Sequence, residues 1–173
     1  IKFGNNAPAV VYGVGPISIL DTGGLAIAGS RNVDDKGAVA TSEIGSLAAE
    51  YGITIVSGGA RGVDQTAMLS TLDAGGQVVG VLADSLASKS LDKNYRNALR
   101  DRRLVMISTN DPNSRFLAWQ AMDRNKYIYA FADAGLVIAT DYRKGGTWAG
   151  AVEQLEKLKF VPVYARSDGH NSK

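Results

Sequence analysis

Short apolar runs alternate with amphipathic stretches along most of this chain. Leu25–Ala28 is apolar and ends at Gly29. Lys36–Tyr51 carries Val39, Ile44, Leu47 and Ala48 at helical spacing, with Gly52 as a stop signal. Ile53–Val56 is short and β-branched, which predicts a buried strand. Val63–Ala74 predicts a helix closed by Gly75 and Gly76, and Val78–Leu82 another buried strand. A charged helix is expected over Asp92–Arg102 and a strand over Leu104–Ser108. Asn113 or Ser114 is the expected cap of a helix reaching Phe131. Leu136–Thr140, Thr147–Leu158 and Val161–Tyr164 follow as strand, helix and strand. Before Thr22 the pattern is less regular, with Val10–Tyr12 the one strand candidate.

Strands that are apolar on both faces and separated by helices belong to a parallel sheet covered on both sides. The expected fold is therefore α/β, a doubly wound, mostly parallel sheet with helices on both faces. One domain is expected over residues 1–166, with 1–22 an extension packed on the core and 167–173 a disordered tail.

Composition narrows the chemistry. Apolar residues at 45% suffice for a core, and 21% charge is too low for a disordered chain. Cysteine is absent, which removes disulfides and thiolate metal sites. The single histidine, His170, lies in the polar tail, which argues against a histidine metal site or a Ser-His-Asp triad. No metal and no cofactor is expected. No run approaches the ~18 apolar residues that span a bilayer, and the lack of cysteine fits a reducing compartment, so the cytoplasm is the expected location.

Two strand-to-helix turns carry the distinctive residues. The first is Gly29-Ser30-Arg31; the second is Ser57-Gly58-Gly59-Ala60-Arg61-Gly62, followed by Val63 and Asp64. Glycines let backbone N–H groups approach a ligand, and a helix N-terminus adds unpaired donors and partial positive charge. Serine adds a hydroxyl, and each turn holds one arginine able to grip a phosphate through two bonds. A single such turn is more simply an ordinary connection with a surface arginine. Two on successive strands, which often lie side by side, favour one phosphate site. Lys144-Gly145-Gly146-Thr147 is a third glycine-rich helix start. Asp64, near its helix start, can accept backbone N–H bonds and fix the turn.

These residues resemble the DprA/Smf family of DNA-processing proteins. The likeness takes in the two arginine turns with Asp64 and Ala67, Pro8–Gly13, Phe116 followed by Arg124-Asn125-Lys126, Ala134–Ile138, and Gly146-Thr147. It spans about residues 8–165. Position 59 is glycine where many members have leucine, position 126 is lysine where arginine is usual, and residues 84–93 lack the common Tyr-Pro. The resemblance implies a Rossmann-like fold of the wider group that includes the cytokinin-activating LOG enzymes. It implies single-stranded DNA binding in a basic pocket, dimerisation, and loading of a RecA-type recombinase during natural transformation. It places Gly29, Ser30, Arg31, Ser57, Gly58, Gly59, Arg61 and Gly62 against phosphates, Arg124, Asn125 and Lys126 on the rim, and Gly146 and Thr147 on the far side. No catalytic residue is assigned.

A basic stretch runs through Lys89, Lys93, Arg96, Arg100, Arg102 and Arg103, against Asp92 and Asp101. On a helix Lys93, Arg96 and Arg100 share a face, which could follow a nucleic-acid backbone or simply face solvent, and Tyr95 could stack on a base. For Trp119, Tyr127, Tyr129 and Trp148, packing against the sheet is the preferred reading over stacking.

Three other functions compete with this one. A nicotinamide dehydrogenase needs Gly-x-Gly-x-x-Gly, and Gly13-Val14-Gly15-Pro16-Ile17-Ser18 lacks the third glycine. A LOG-type nucleotide hydrolase needs a carboxylate at the sugar. Its glutamate position holds Gly150, and Glu153 is the only nearby substitute. A nucleotide sensor would use the same pocket for a small signal.

Overall fold

The computed structural model describes Gly4 and residues 7–167; His170 and most of the expected tail lie outside the described residues. The strands are β1 (Tyr12–Val14), β2 (Leu25–Ala28), β3 (Ile55–Ser57), β4 (Val78–Leu82), β5 (Leu104–Ser108), β6 (Ala134–Val137) and β7 (Val163–Ala165). The helices are α1 (Asp35–Glu50), α2 (Val63–Asp73), α3 (Leu86–Ser90), α4 (Lys93–Arg100), α5 (Ala118–Ala130) and α6 (Gly145–Glu153). Among the described residues all seven strands join one sheet, in the order β1-β5-β4-β3-β2-β6-β7. Every pairing is parallel except β1 with β5.

The two-residue period of a strand sends neighbouring side chains to opposite faces. Ile27, Ile55, Val78 and Leu104 pack on one face with Met68 and Leu72 of α2 and Tyr95 and Ala98 of α4. Ala26, Val56, Val79 and Val105 pack on the other with Tyr127, Ile128 and Tyr129 of α5. Both faces are therefore apolar because both are covered. Each fully buried aliphatic side chain contributes about 1.5–3 kcal/mol.

Strand order places the site. From β2 the chain builds outward through β3, β4 and β5. It then crosses by α5 and returns to set β6 against the other side of β2. The direction of growth reverses between β2 and β6, and ligands of such sheets sit beyond the strand ends at that point.

Several boundaries differ from the sequence expectation. Helix α5 starts at Ala118, not near Ser114. The expected caps serve a turn instead: the Asn113 amide donates to Asp111 Oδ1 at 2.8 Å and the Ser114 amide to the Asp111 carbonyl at 2.9 Å. Strand β3 starts at Ile55, because Ile53 stays exposed and its amide donates to the Ala48 carbonyl at 2.7 Å. Strand β6 begins two residues early because Ala134 and Gly135 pair with Leu25 and Ala26. The last helix ends in a π turn over Gln154–Leu158, where buried Gln154 donates to the Val161 carbonyl at 3.0 Å. The short α3 had no periodicity long enough to read.

Candidate functional site

The turns after β2 and β3 lie side by side, because those strands are parallel neighbours. Their contact is close. Gly62, at φ +87°, has no room for a Cβ, which would sit 2.4 Å from the Ser30 carbonyl oxygen. The Val63 amide donates to that same carbonyl at 3.3 Å. The third glycine-rich turn joins from the far side, where the Thr147 hydroxyl donates to the Gly29 carbonyl at 3.0 Å. The Ser30 amide donates to the Ala139 carbonyl at 2.8 Å, tying the ends of β2 and β6 together.

These contacts enclose a cavity of about 380 Å³ at the reversal point of the sheet. Gly29, Ser30, Arg31, Arg124, Asn125, Gly146 and Thr147 line it. Ser30 Oγ accepts the Asn32 amide at 3.1 Å, which leaves its own proton free to donate. The Asn125 side chain donates to the Gly146 carbonyl at 3.0 Å and braces the far wall.

Three buried groups form the floor: Asp64, Arg124 and Tyr129. Burial pushes the Asp64 carboxyl up from its ordinary pKa. The Arg124 charge and the backbone amides of Ala60, Gly29 and Gly58 pull it the other way. The Gly29 and Gly58 amides, expected from the sequence to face a phosphate, are directed at Asp64. Burial lowers the Arg124 pKa, opposed by Asp64 and Asp84. Arg124 was expected on the rim; it is only 5% exposed. Its Nη1 donates to the Val81 carbonyl, and its Nε has no partner. Burial, aided by the Asp64 charge, pushes the Tyr129 phenol up to about 12.

Exposed Arg31 stands over the Phe116 ring, 4.7 Å from its centre. The extended segment before α5 delivers that ring. Both residues, with Ala60 and Arg124, also border a second cavity of about 300 Å³ at the ends of β3 and β4. Gly58, Gly59 and Arg61 line only this second space. Arg61 donates to Asn32 Oδ1 at 2.6 Å. Phe116 enters at the sequence level only through the family likeness, and no sequence signal marks Asp84.

Other expected residues lie elsewhere. Ser57 is fully buried and its hydroxyl donates to the Ile27 carbonyl at 2.7 Å, so it offers no donor to a ligand. Lys126 lines neither cavity and pairs with Asp123 at 2.6 Å. Gly62 shapes the turn contact without lining either space. Of the basic stretch Lys89 alone lines either of these two cavities. Lys93, Arg96 and Arg100 face solvent, and Tyr95 is core, 2% exposed. Tyr127 and Tyr129 are buried, whereas Trp119 is 64% exposed. Trp148 meets the Tyr142 ring edge-on.

Among the described residues no helix is long and apolar enough to cross a membrane, and no cluster of His, Cys, Asp or Glu could hold a metal ion. The glycines at 13 and 15 belong to antiparallel edge strand β1 and its end, away from the reversal point.

Comparison with known proteins agrees with this architecture. A Helicobacter pylori DNA processing protein A, studied for its single-stranded DNA binding mode, superposes with a TM-score of 0.81 at 23% identity. The match covers 98% of this chain and 78% of that one. DprA from Streptococcus pneumoniae gives 0.78 at 22% identity, covering 95% and 58%. Molybdenum cofactor carrier proteins share the fold more loosely, with TM-scores such as 0.55 for the one from Chlamydomonas reinhardtii. In sequence, DprA of Bacillus subtilis is 25% identical over 156 residues, 89% of this chain and 52% of its own length. The chain spans about half the length of the curated relatives it matches. With residues 1–172 matching the model of DNA recombination-mediator protein A, this chain belongs to that family of DNA-processing proteins.

Proposed function

We propose that this domain binds single-stranded DNA through its phosphates, and that it holds the strand rather than cutting a bond. The observation that carries this reading is Arg31. It is exposed, stands over the Phe116 ring, and sits where two cavities meet at the reversal point of the sheet. Arg31 and Arg61 take phosphate oxygens, and the Ser30 hydroxyl adds a donor. Phe116 supplies a stacking face, which every base can use. Gly146 and Thr147 close the far side. The H. pylori relative is described by its single-stranded DNA binding, which favours the same ligand here.

Holding rather than cutting is supported by position 150. Gly150 is buried, and a Cβ there would sit 2.7 Å from Asn125 Nδ2, so a glutamate cannot enter without moving Asn125. Glu153 lines neither cavity. On kinship alone we also propose a homodimer and a RecA-type recombinase as partner in the cytoplasm. Fluorescence anisotropy with a labelled thymidine 20-mer tests the central reading. Arg31→Ala and Arg61→Ala should each weaken binding by about 1–3 kcal/mol, the worth of charged hydrogen bonds. Unchanged affinity in both would overturn it.

A further inference from the structure

The second cavity has chemistry that one phosphate site does not use. It opens at the ends of β3 and β4, and its own cations are Arg61 and Lys89. The carboxylate among them is Asp84, whose Oδ2 accepts the Ser85 hydroxyl at 2.8 Å. Leu82 and the Phe116 ring give it an apolar side. Gly59, at φ +67°, keeps it open: a Cβ there would lie 2.8 Å from Leu82 Cδ2. Its border with the first cavity is formed by Arg31, Ala60, Phe116 and Arg124. Buried Arg124 lines both spaces, and its Nε has no protein partner.

We infer that the second cavity is a subsite for the neighbouring nucleotide of the same strand, whose phosphate rests on Arg61 and Lys89. This rests on the single-strand reading above and deepens it. The unit bound is a dinucleotide step, divided by the Arg31–Phe116 pair. Positive charge on both sides of the divide draws the sugar–phosphate chain across it, and the apolar wall takes a base or sugar edge. Lys89 therefore acts apart from the basic face of α4, with which its sequence position groups it. Asp84 limits the net charge of the subsite and disfavours a free anion without a strand attached.

Calorimetric titration of thymidine 5′-monophosphate, 5′-phosphorylated dithymidylate and the thymidine 20-mer tests this. The variants are Lys89→Ala and, as a control with equal charge change on the exposed face of α4, Lys93→Ala. The wild type should bind the dinucleotide at least about tenfold more tightly than the mononucleotide, as expected for an added charged contact. Lys89→Ala should remove most of that difference and leave mononucleotide affinity within about twofold. Lys93→Ala should change neither. The subsite is overturned if Lys89→Ala weakens both small ligands equally, if it matches Lys93→Ala, or if the dinucleotide binds no better than the mononucleotide. In those cases 20-mer binding that still depends on Arg31 leaves the single-strand reading intact. A wild type that binds none of the three ligands sinks both.

Discussion

Gly58→Ala is the most exacting test of how the site is braced. A methyl group at position 58 would lie 1.8 Å from Arg124 Nη1 and 2.4 Å from its Cζ. Such overlap is impossible, so one group must move. Position 58 is fixed by β3 and the start of α2, so the guanidinium must yield. Arg124 is buried, however, and its Nη1 donates to the Val81 carbonyl at the end of β4. Displacing it leaves that carbonyl unpaired, at about 1–3 kcal/mol. Overpacking adds about 1–3 kcal/mol. The sum, about 2–6 kcal/mol, is a large share of the ~5–15 kcal/mol that holds a domain folded. Urea unfolding followed by circular dichroism reads the loss as a lower midpoint at unchanged slope. The double variant Gly58→Ala/Arg124→Ala removes the group that clashes. It should be more stable than the sum of the single losses predicts, by at least about 1 kcal/mol. A Gly58→Ala protein within about 0.5 kcal/mol of wild type, or strictly additive losses, would refute the packing argument.

Three further outcomes follow from the same geometry. Lys126→Ala breaks a half-exposed ion pair outside both cavities; it should cost about 1 kcal/mol in urea unfolding and leave 20-mer affinity within about threefold. Burial pushes the Tyr129 phenol up to about 12, above the ~10 of an unfolded chain. Its stabilising effect is therefore complete below pH ~10 and lost as pH rises through the folded value; urea midpoints between pH 8 and 11 should fall less steeply for Tyr129→Phe, and parallel curves would refute this. Phe116→Ala removes both the ring under Arg31 and the stacking face, and should weaken 20-mer binding by about 1–3 kcal/mol. A Phe116→Tyr protein that binds as poorly as Phe116→Ala would contradict stacking as the cause.

Much of the sheet was legible because its signals are local. Leu25–Ala28, Val78–Leu82 and Leu104–Ser108 are apolar runs between breakers, and they are strands to the residue. The convergence of the 29–31, 57–62 and 145–147 turns was also within reach, since successive parallel strands tend to be neighbours. Burial of Arg124 is encoded in α5: Arg124 precedes Tyr127 and Ile128 by three and four residues, and both face the sheet. A charged residue on that stripe signals a braced group rather than a rim. Tyr95 hides in the same way, three residues before core Ala98. The start of α5 misled because Asn113 and Ser114 serve a turn as readily as a helix cap. Phe116 owes its place to the extended segment that follows this turn, and no local pattern announces it. Nor could spacing reveal that Asp64 takes up the attention of amides on two different turns, since that depends on how closely those turns pack.

The claim that this cleft holds the phosphates of a single strand is tested most directly by the salt dependence of 20-mer binding. The logarithm of the binding constant should fall linearly with the logarithm of salt concentration, with a slope of about −0.7 for each phosphate neutralised. Arg31→Ala and Arg61→Ala should each weaken binding and make that slope shallower by about 0.7. Binding that ignores salt, or slopes that both variants share with the wild type, would contradict it.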